Sequence, residues 1–152
     1  MPETVAYRPF HNADLPELEQ MVLALYQDDV GGEGMSGEKV RRTVGELARH
    51  PEKGRILIFD AGAEVVGYAI IIYYWSNEYG GTLVSIDELY VKPGWQGRGI
   101  GAAFLQHLIA EEMDAKGLQL EVTPQNARAY AFYLREGFRP AKNRHLFKRL
   151  SK

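Results

Sequence analysis

Apolar positions recur at helical spacing from Asp14 to about Gln27, where Leu15, Leu18, Met21, Val22 and Leu25 share one stripe. Asp14 and Glu17 stand at its head as an Asp-x-x-Glu cap, and a short strand, Val5–Phe10, precedes it. Asp28–Gly37 carries four glycines, which predicts a mobile loop. Ser36 is placed to cap a second helix with the stripe Val40, Val44 and Leu47, and Pro51 marks its end.

The pattern then changes. Arg55–Asp60 and Val65–Trp75 are runs rich in apolar, β-branched and aromatic residues, separated by Ala61-Gly-Ala-Glu64, and they predict a β-hairpin. Leu83–Val91 is the next strand. A glycine-rich turn follows, then a helix from about Gly99 to Lys116 with the stripe Phe104, Leu105, Leu108, Ile109 and Met113, stopped by Gly117. Leu118–Val122 reads as a strand and Asn126–Glu136 as a helix ended by Gly137. Arg139–Leu150 reads as one or two terminal strands. The order is β-α-α-β-β-β-α-β-α-β, and only the unit over residues 83–122 must be parallel by crossover logic. The expected fold class is α/β, a single domain over residues 1–152 with a mixed sheet and helices on its faces.

Composition narrows the chemistry. The chain has no cysteine, which excludes disulfides, thiolate metal sites and a thiol nucleophile. His11, His50, His107 and His145 are scattered and no HExxH pair occurs, so no metal site is expected. A net charge of −2 gives no reason to expect nucleic acid or a membrane as partner. The amino terminus lacks an apolar signal core, and the longest apolar run, Val65 to Trp75, is 11 residues and far short of a span. A cytoplasmic protein is expected.

The most informative segment is Ile86–Gly101, a strand running through Pro93–Gly94 into a glycine-rich helix start. Gly97, Gly99 and Gly101 let a ligand lie on the backbone, and the unpaired N–H groups of the first helical turn favour an anion there. This is the anatomy of a phosphate cradle. No Walker A string, Gly-x-x-x-x-Gly-Lys-Ser/Thr, is present. A dinucleotide fingerprint is matched by Gly97-x-Gly99-x-x-Ala102 with Glu121 roughly 20 residues on. Its position argues against it, because too little chain remains for the other strands of a doubly wound sheet.

Leu89-Tyr-Val-Lys-Pro-Gly-Trp-Gln-Gly-Arg-Gly-Ile-Gly101 closely resembles the acyl-coenzyme A loop of the GNAT superfamily of N-acetyltransferases, whose Gln/Arg-x-x-Gly-x-Gly/Ala signature is matched by Gln96, Gly99 and Gly101. Asn126, Ala129, Tyr133 and Gly137-Phe138 resemble a second block of that family, Asn-x-x-Ala-x-x-x-Tyr followed by Gly-Phe. The resemblance implies acetyl-coenzyme A as co-substrate, its pyrophosphate on the N–H groups of Gly97, Arg98, Gly99, Ile100, Gly101 and Ala102. The pantetheine arm would run along Leu89, Tyr90 and Val91, with Asn126 touching it from the other side. For Arg98, a direct phosphate contact and a solvated surface charge are both open.

An alkylammonium with a pKa near 10.4 carries almost no free lone pair at neutral pH, so a base must take its proton. With no cysteine, direct attack in a ternary complex is the economical route. Asn126, Tyr130, Tyr133 and Gly137 share a helix face, and the family block makes Tyr133 the candidate acid for the departing thiolate. Asp87 and Glu88 are the candidate bases; as strand neighbours they point to opposite faces unless the strand bulges. The resemblance to polyamine acetyltransferases favours Asp87, acting through water, and leaves Glu88 to the substrate's cation or a structural pair. A backbone N–H near Leu89 or Tyr90 would serve the oxyanion.

Asp28, Asp29, Glu33 and Glu78, with Tyr73, Tyr74, Trp75 and Tyr79, suggest an acidic, aromatic entrance suited to a small cationic amine. Tyr74-Trp-Ser-Asn-Glu-Tyr-Gly-Gly81 looks like the diamine and polyamine branch. A protein or peptide amine, an aminoglycoside, a non-catalytic acyl-coenzyme A sensor and, remotely, a dinucleotide-binding protein stay open. So does a homodimer.

Overall fold

Strand β2, Gly54–Asp60, and strand β3, Val65–Ser76, bury side chains on both faces, as strands do when helices cover a sheet from two sides. Their turn closes with the Ala61 N–H donating to the Glu64 carbonyl at 2.9 Å, and Gly62 takes a φ of +93°. The computed structural model describes residues 4–27 and 32–151, so Asp28 and Asp29 lie outside the described residues. By contacts the chain divides into a unit Met1–Glu121 and a unit Val122–Lys152.

The first unit holds a five-stranded sheet in the order β1-β2-β3-β4-β5, with β1 at Ala6–Pro9, β4 at Gly81–Val91 and β5 at Gly117–Gln119. All neighbours are antiparallel except β4 and β5, which are parallel, as the crossover reading requires. On one face lie α1, Leu15–Gln27, and α2, Gly37–Arg49; Leu18, Met21, Val22, Val40 and Leu47 bury against Ile56, Ile58, Tyr68 and Ile70. Ser36 caps α2 as expected, its hydroxyl accepting from the Lys39 N–H at 3.3 Å. The other face carries α3, Ile100–Glu111, where Phe104 stacks 4.9 Å from Phe59 and the Tyr7 hydroxyl donates to the Ile100 carbonyl at 2.8 Å.

Three expectations change. Asp14 does not cap α1 with Glu17. It accepts the His11 N–H at 2.8 Å and both Arg8 terminal nitrogens at 2.9 Å, tying β1 to the turn before α1. Arg8 holds the Asp14 carboxyl below its ordinary value. Helix α3 stops at Glu111, because the chain must turn before Lys116 donates to the Thr82 carbonyl and β5 begins; Ile109 and Met113 are left exposed. Residues 139–151 form no strand. A strand exists by pairing, and among the described residues of their own unit the only regular element is the helix α4, Ala127–Arg135.

Helix α4 begins at Asn126, whose side-chain oxygen accepts the Ala129 N–H at 3.0 Å, and Gly137 follows it with a φ of +97°. Among the described residues no helix is long and apolar enough to cross a membrane.

Gly67 marks a close approach in the sheet, where β3 packs against β4 and Phe59. A Cβ there would lie 2.3 Å from the Tyr90 carbonyl oxygen and 2.7 Å from Phe59 Cδ2. Gly67→Ala is expected to lose about 3 kcal/mol or more, read as the urea midpoint. Gly94→Ala, which meets nothing within 4 Å, should stay within about 0.5 kcal/mol.

Candidate functional site

The register of β4 against β3 slips at one place. Ile70 pairs with Glu88 and Ile71 with Ile86, so Asp87 is an extra residue without a partner, a β-bulge. Alternation therefore fails here. Ile86 pairs with Ile71, whereas Glu88 shares the α1/α2 face with Tyr68 and Ile70. The bulge breaks the two-residue alternation that would have kept Ile86 and Glu88 on one face.

Glu88 is partly buried and accepts two phenol hydrogen bonds, from Tyr26 at 2.5 Å on one oxygen and from Tyr68 at 2.7 Å on the other. Such short O–H···O contacts suit an ionised carboxylate. Burial pushes its carboxyl up, the two phenols pull it down, and the Asp87 charge pushes it up. Burial and then the Glu121 charge raise Asp87. The two tyrosines were absent from the sequence reading. Their signal was there: Leu18, Val22 and Tyr26 fall at i, i+4 and i+8 on the buried stripe of α1.

Beyond Ser85, no strand among the described residues pairs with β4 on its β5 side, since β5 pairs with Leu83, Val84 and Ser85. Leu89, Tyr90 and Val91 thus lie on an open edge of the sheet. The strand leads into a turn at Pro93–Trp95 and then to Gly97 and Gly99, whose φ values of +78° and +80° suit glycine. A Cβ on either would meet nothing within 4 Å, so the space over the loop is open. The first intrahelical bond of α3 runs from the Ala103 N–H to the Gly99 carbonyl, which leaves the N–H groups of Ile100, Gly101 and Ala102 ahead of it. This arrangement fits a phosphate-bearing ligand.

Two side chains of the loop have local duties. The Gln96 amide donates to the Val91 carbonyl at 3.0 Å, closing the turn. The Arg98 guanidinium sits 4.6 Å from the centroid of Trp95. In the second unit, Tyr133 packs edge-on to Phe132 and Phe138 at 5.0 and 5.4 Å, and burial pushes its phenol up to about 12.

The expected aromatic entrance does not assemble as one cluster with Asp87 and Glu88. Tyr73 donates to Glu112 at 2.6 Å on the α3 face. Tyr74, Trp75 and Tyr79 are exposed near the β3–β4 turn. Glu78 lies in that turn, and at 3.3 Å per residue the turn is roughly 20 Å along β4 from the bulge. Glu33 is exposed. Among the described residues no group of three or more His, Cys, Asp or Glu could hold a metal ion.

The model of the acetyltransferase (GNAT) family matches residues 18–138. Streptothricin acetyltransferase of Streptomyces lavendulae is 31% identical over 119 residues, 77% of this chain and 57% of that protein. Thialysine N-epsilon-acetyltransferase of Bos taurus is 33% identical over 75 residues, 47% of this chain and 43% of that protein. The chain spans about half the length of these curated relatives. Among solved structures, an integron cassette protein from the mobile metagenome of Cole Harbour Salt Marsh superposes with a TM-score of 0.80 at 28% identity, covering 96% of this chain and 91% of that one.

Gly99→Asp would put a side chain at a left-handed position and a negative charge at the head of α3. Acetyl-coenzyme A binding, followed by calorimetry, is expected to weaken by several kcal/mol in the folded variant. Unchanged affinity would remove the cradle from the site.

Proposed function

We propose, because the chain belongs to the acetyltransferase (GNAT) family, that it moves the acetyl group of acetyl-coenzyme A onto a primary amine, a small cation of the diamine or polyamine class, in the cytoplasm. The observation that carries this reading is the open left-handed glycine pair, Gly97 and Gly99, at the end of the strand whose bulge bears Asp87 and Glu88. Acetyl-coenzyme A supplies the acyl group already activated as a thioester. Its phosphates belong on the N–H groups of Gly97 to Ala102, and its amide-bearing arm belongs on the open β4 edge at Leu89, Tyr90 and Val91. Asn126 keeps its side-chain NH2 to donate, since its oxygen is engaged with Ala129.

Asp87 takes the proton of the attacking ammonium, directly or through a water. Burial raises its carboxyl, which makes it a stronger base once ionised and brings its affinity for a proton closer to that of the amine. Glu88 holds a second positive charge on the acceptor. Tyr133 takes the thiolate side on the strength of the family motif. With its phenol near 12, complete transfer to a thiolate of ordinary pKa near 8.5 runs uphill. The hydroxyl therefore serves as a hydrogen-bond donor that stays protonated across the working pH range.

A second reading has its own support. A relative matched over most of this chain carries the name of streptothricin, so streptothricin is the competing acceptor. Release of free thiol from acetyl-coenzyme A, measured with monoamines, diamines, peptides and streptothricin, separates the readings. Diamines should exceed monoamines of equal length by about 1 kcal/mol in kcat/KM, with the gap shrinking as salt rises. Equal, salt-insensitive rates would remove the cationic acceptor. Thiol release with none of them, despite tight cofactor binding, would leave an acyl-coenzyme A sensor.

Tyr133→Phe keeps the ring and removes only the hydroxyl. It should lower kcat about 100-fold with cofactor affinity retained, provided the chemical step limits turnover. An unchanged kcat would make Tyr133 a packing residue alone.

A further inference from the structure

Three features of the first unit lie outside the reading above. The acidic notch of Glu52, Glu112 and Asp114 near Tyr73 is a carboxylate cluster with nothing beside it that points to a ligand, and Arg55 already engages its Glu112. The exposed aromatics near the β3–β4 turn face nothing that identifies a partner. The third is the pair of phenols on Glu88, and it carries an argument.

Tyr26 comes from the end of α1 and Tyr68 from the middle of β3, yet both hydroxyls converge on one carboxylate. Tyr68 is fully buried. Beside Glu88 lies a cavity of about 20 Å3 lined by Leu18, Val22, Val40, Ile56 and Ile70, with room for about one water-sized group. A carboxylate in such company is costly unless donors replace its lost water. Two phenols supply that replacement and leave lone pairs over for one more donor. An –NH3+ head is about the size of a water; a trimethylammonium is several times larger.

We propose that Tyr26 and Tyr68 are positioning residues that hold Glu88 charged and fixed as the floor of the acceptor pocket, so that it admits one primary ammonium and rejects a quaternary one. This rests on the acceptor reading above and deepens it. The same clamp divides the neighbouring carboxylates by role. Glu88, with both oxygens already hydrogen-bonded to phenols, serves as the anchor; Asp87, the extra residue on the bulge, is left as the base. The titratable groups that bear on Glu88 are Tyr26 from α1, Tyr68 from β3 and Asp87 from β4 itself.

The sign of the pH effect follows. Each phenol lowers the Glu88 carboxyl, so removing one raises it, and Glu88 then becomes charged only at higher pH. The test is calorimetric binding of 1,3-diaminopropane, with coenzyme A saturating, to wild type, Tyr26→Phe and Tyr68→Phe between pH 6 and pH 9. Tyr26→Phe should bind the diamine about 10-fold more weakly at the acid end, with the gap closing as pH rises and coenzyme A affinity unchanged. The derivative that carries a trimethylammonium at both ends should not compete with the diamine. A deficit that does not change with pH, or none, overturns the proposal, as does competition by that derivative. If Tyr68→Phe fails to fold, Tyr26→Phe at the helix end decides alone. Binding that behaves as expected without any acetyl transfer would sink the acetyltransferase reading and leave the ammonium pocket standing.

Discussion

One more residue on β4 than on the facing stretch of β3, inserted at Asp87, sets the direction of the groups around it. A regular strand would have divided Asp87 and Glu88 between the two faces. The bulge instead allows Glu88 to enter the space under α1 and α2 while Asp87 keeps an environment of its own beside Glu121. Bulges bend a strand and interrupt its ladder, and here β4 has already lost β5 at Ser85. The consequence is a strand paired on one side and open on the other, leading straight into the glycine turn.

Burying Glu88 constrains more than its own position. A lone carboxylate among Leu18, Val22 and Ile70 would take up a proton or exclude itself from the core. The Tyr26 and Tyr68 hydroxyls work against that uptake, although burial still holds the carboxyl above its ordinary value, and they tie α1 to the sheet through polar contacts inside an otherwise apolar layer. A neighbouring tie of the same kind runs from Lys92, at the end of β4, to Glu17 in the first turn of α1. Helix α1 is thus fixed to β4 near both ends, by an ion pair at one and a phenol–carboxylate bond at the other. The opposite face is held differently. Phe104, Phe59 and Tyr7 pack as a ring cluster with no charge among them, which seats α3 on the sheet by apolar contact.

Most of the fold was legible in the spacing of apolar residues. The stripe Leu18, Met21 and Val22, the doubly buried runs of β2 and β3 and the Ser36 cap all formed where pattern and cap chemistry placed them. The glycine loop was legible too, because Gly97 and Gly99 adopt a backbone that other residues enter at a cost. Misreadings arose where pairing rather than pattern decides. Leu146, Phe147 and Leu150 stand among basic residues in the segment expected as a strand, but no ladder among the described residues receives them and all three are exposed. Asp14 had the right spacing to cap α1 and was drawn instead to Arg8, a residue outside the helix.

By itself the sequence determined most of the elements, their order as far as α4 and the left-handed glycine turn before α3, because these depend on a few neighbouring residues and on periodicity along one segment. Tertiary structure alone decided what the carboxylates of β4 are. Whether Asp87 and Glu88 face apart or together depends on one unpaired residue in a ladder 15 to 20 positions away in sequence, between β3 and β4. Whether Glu88 is charged depends on Tyr26 and Tyr68, which are 62 and 20 residues distant. A carboxylate's charge and basicity are set by the donors and the dielectric around it. Those surroundings exist only once α1 has been packed onto the sheet.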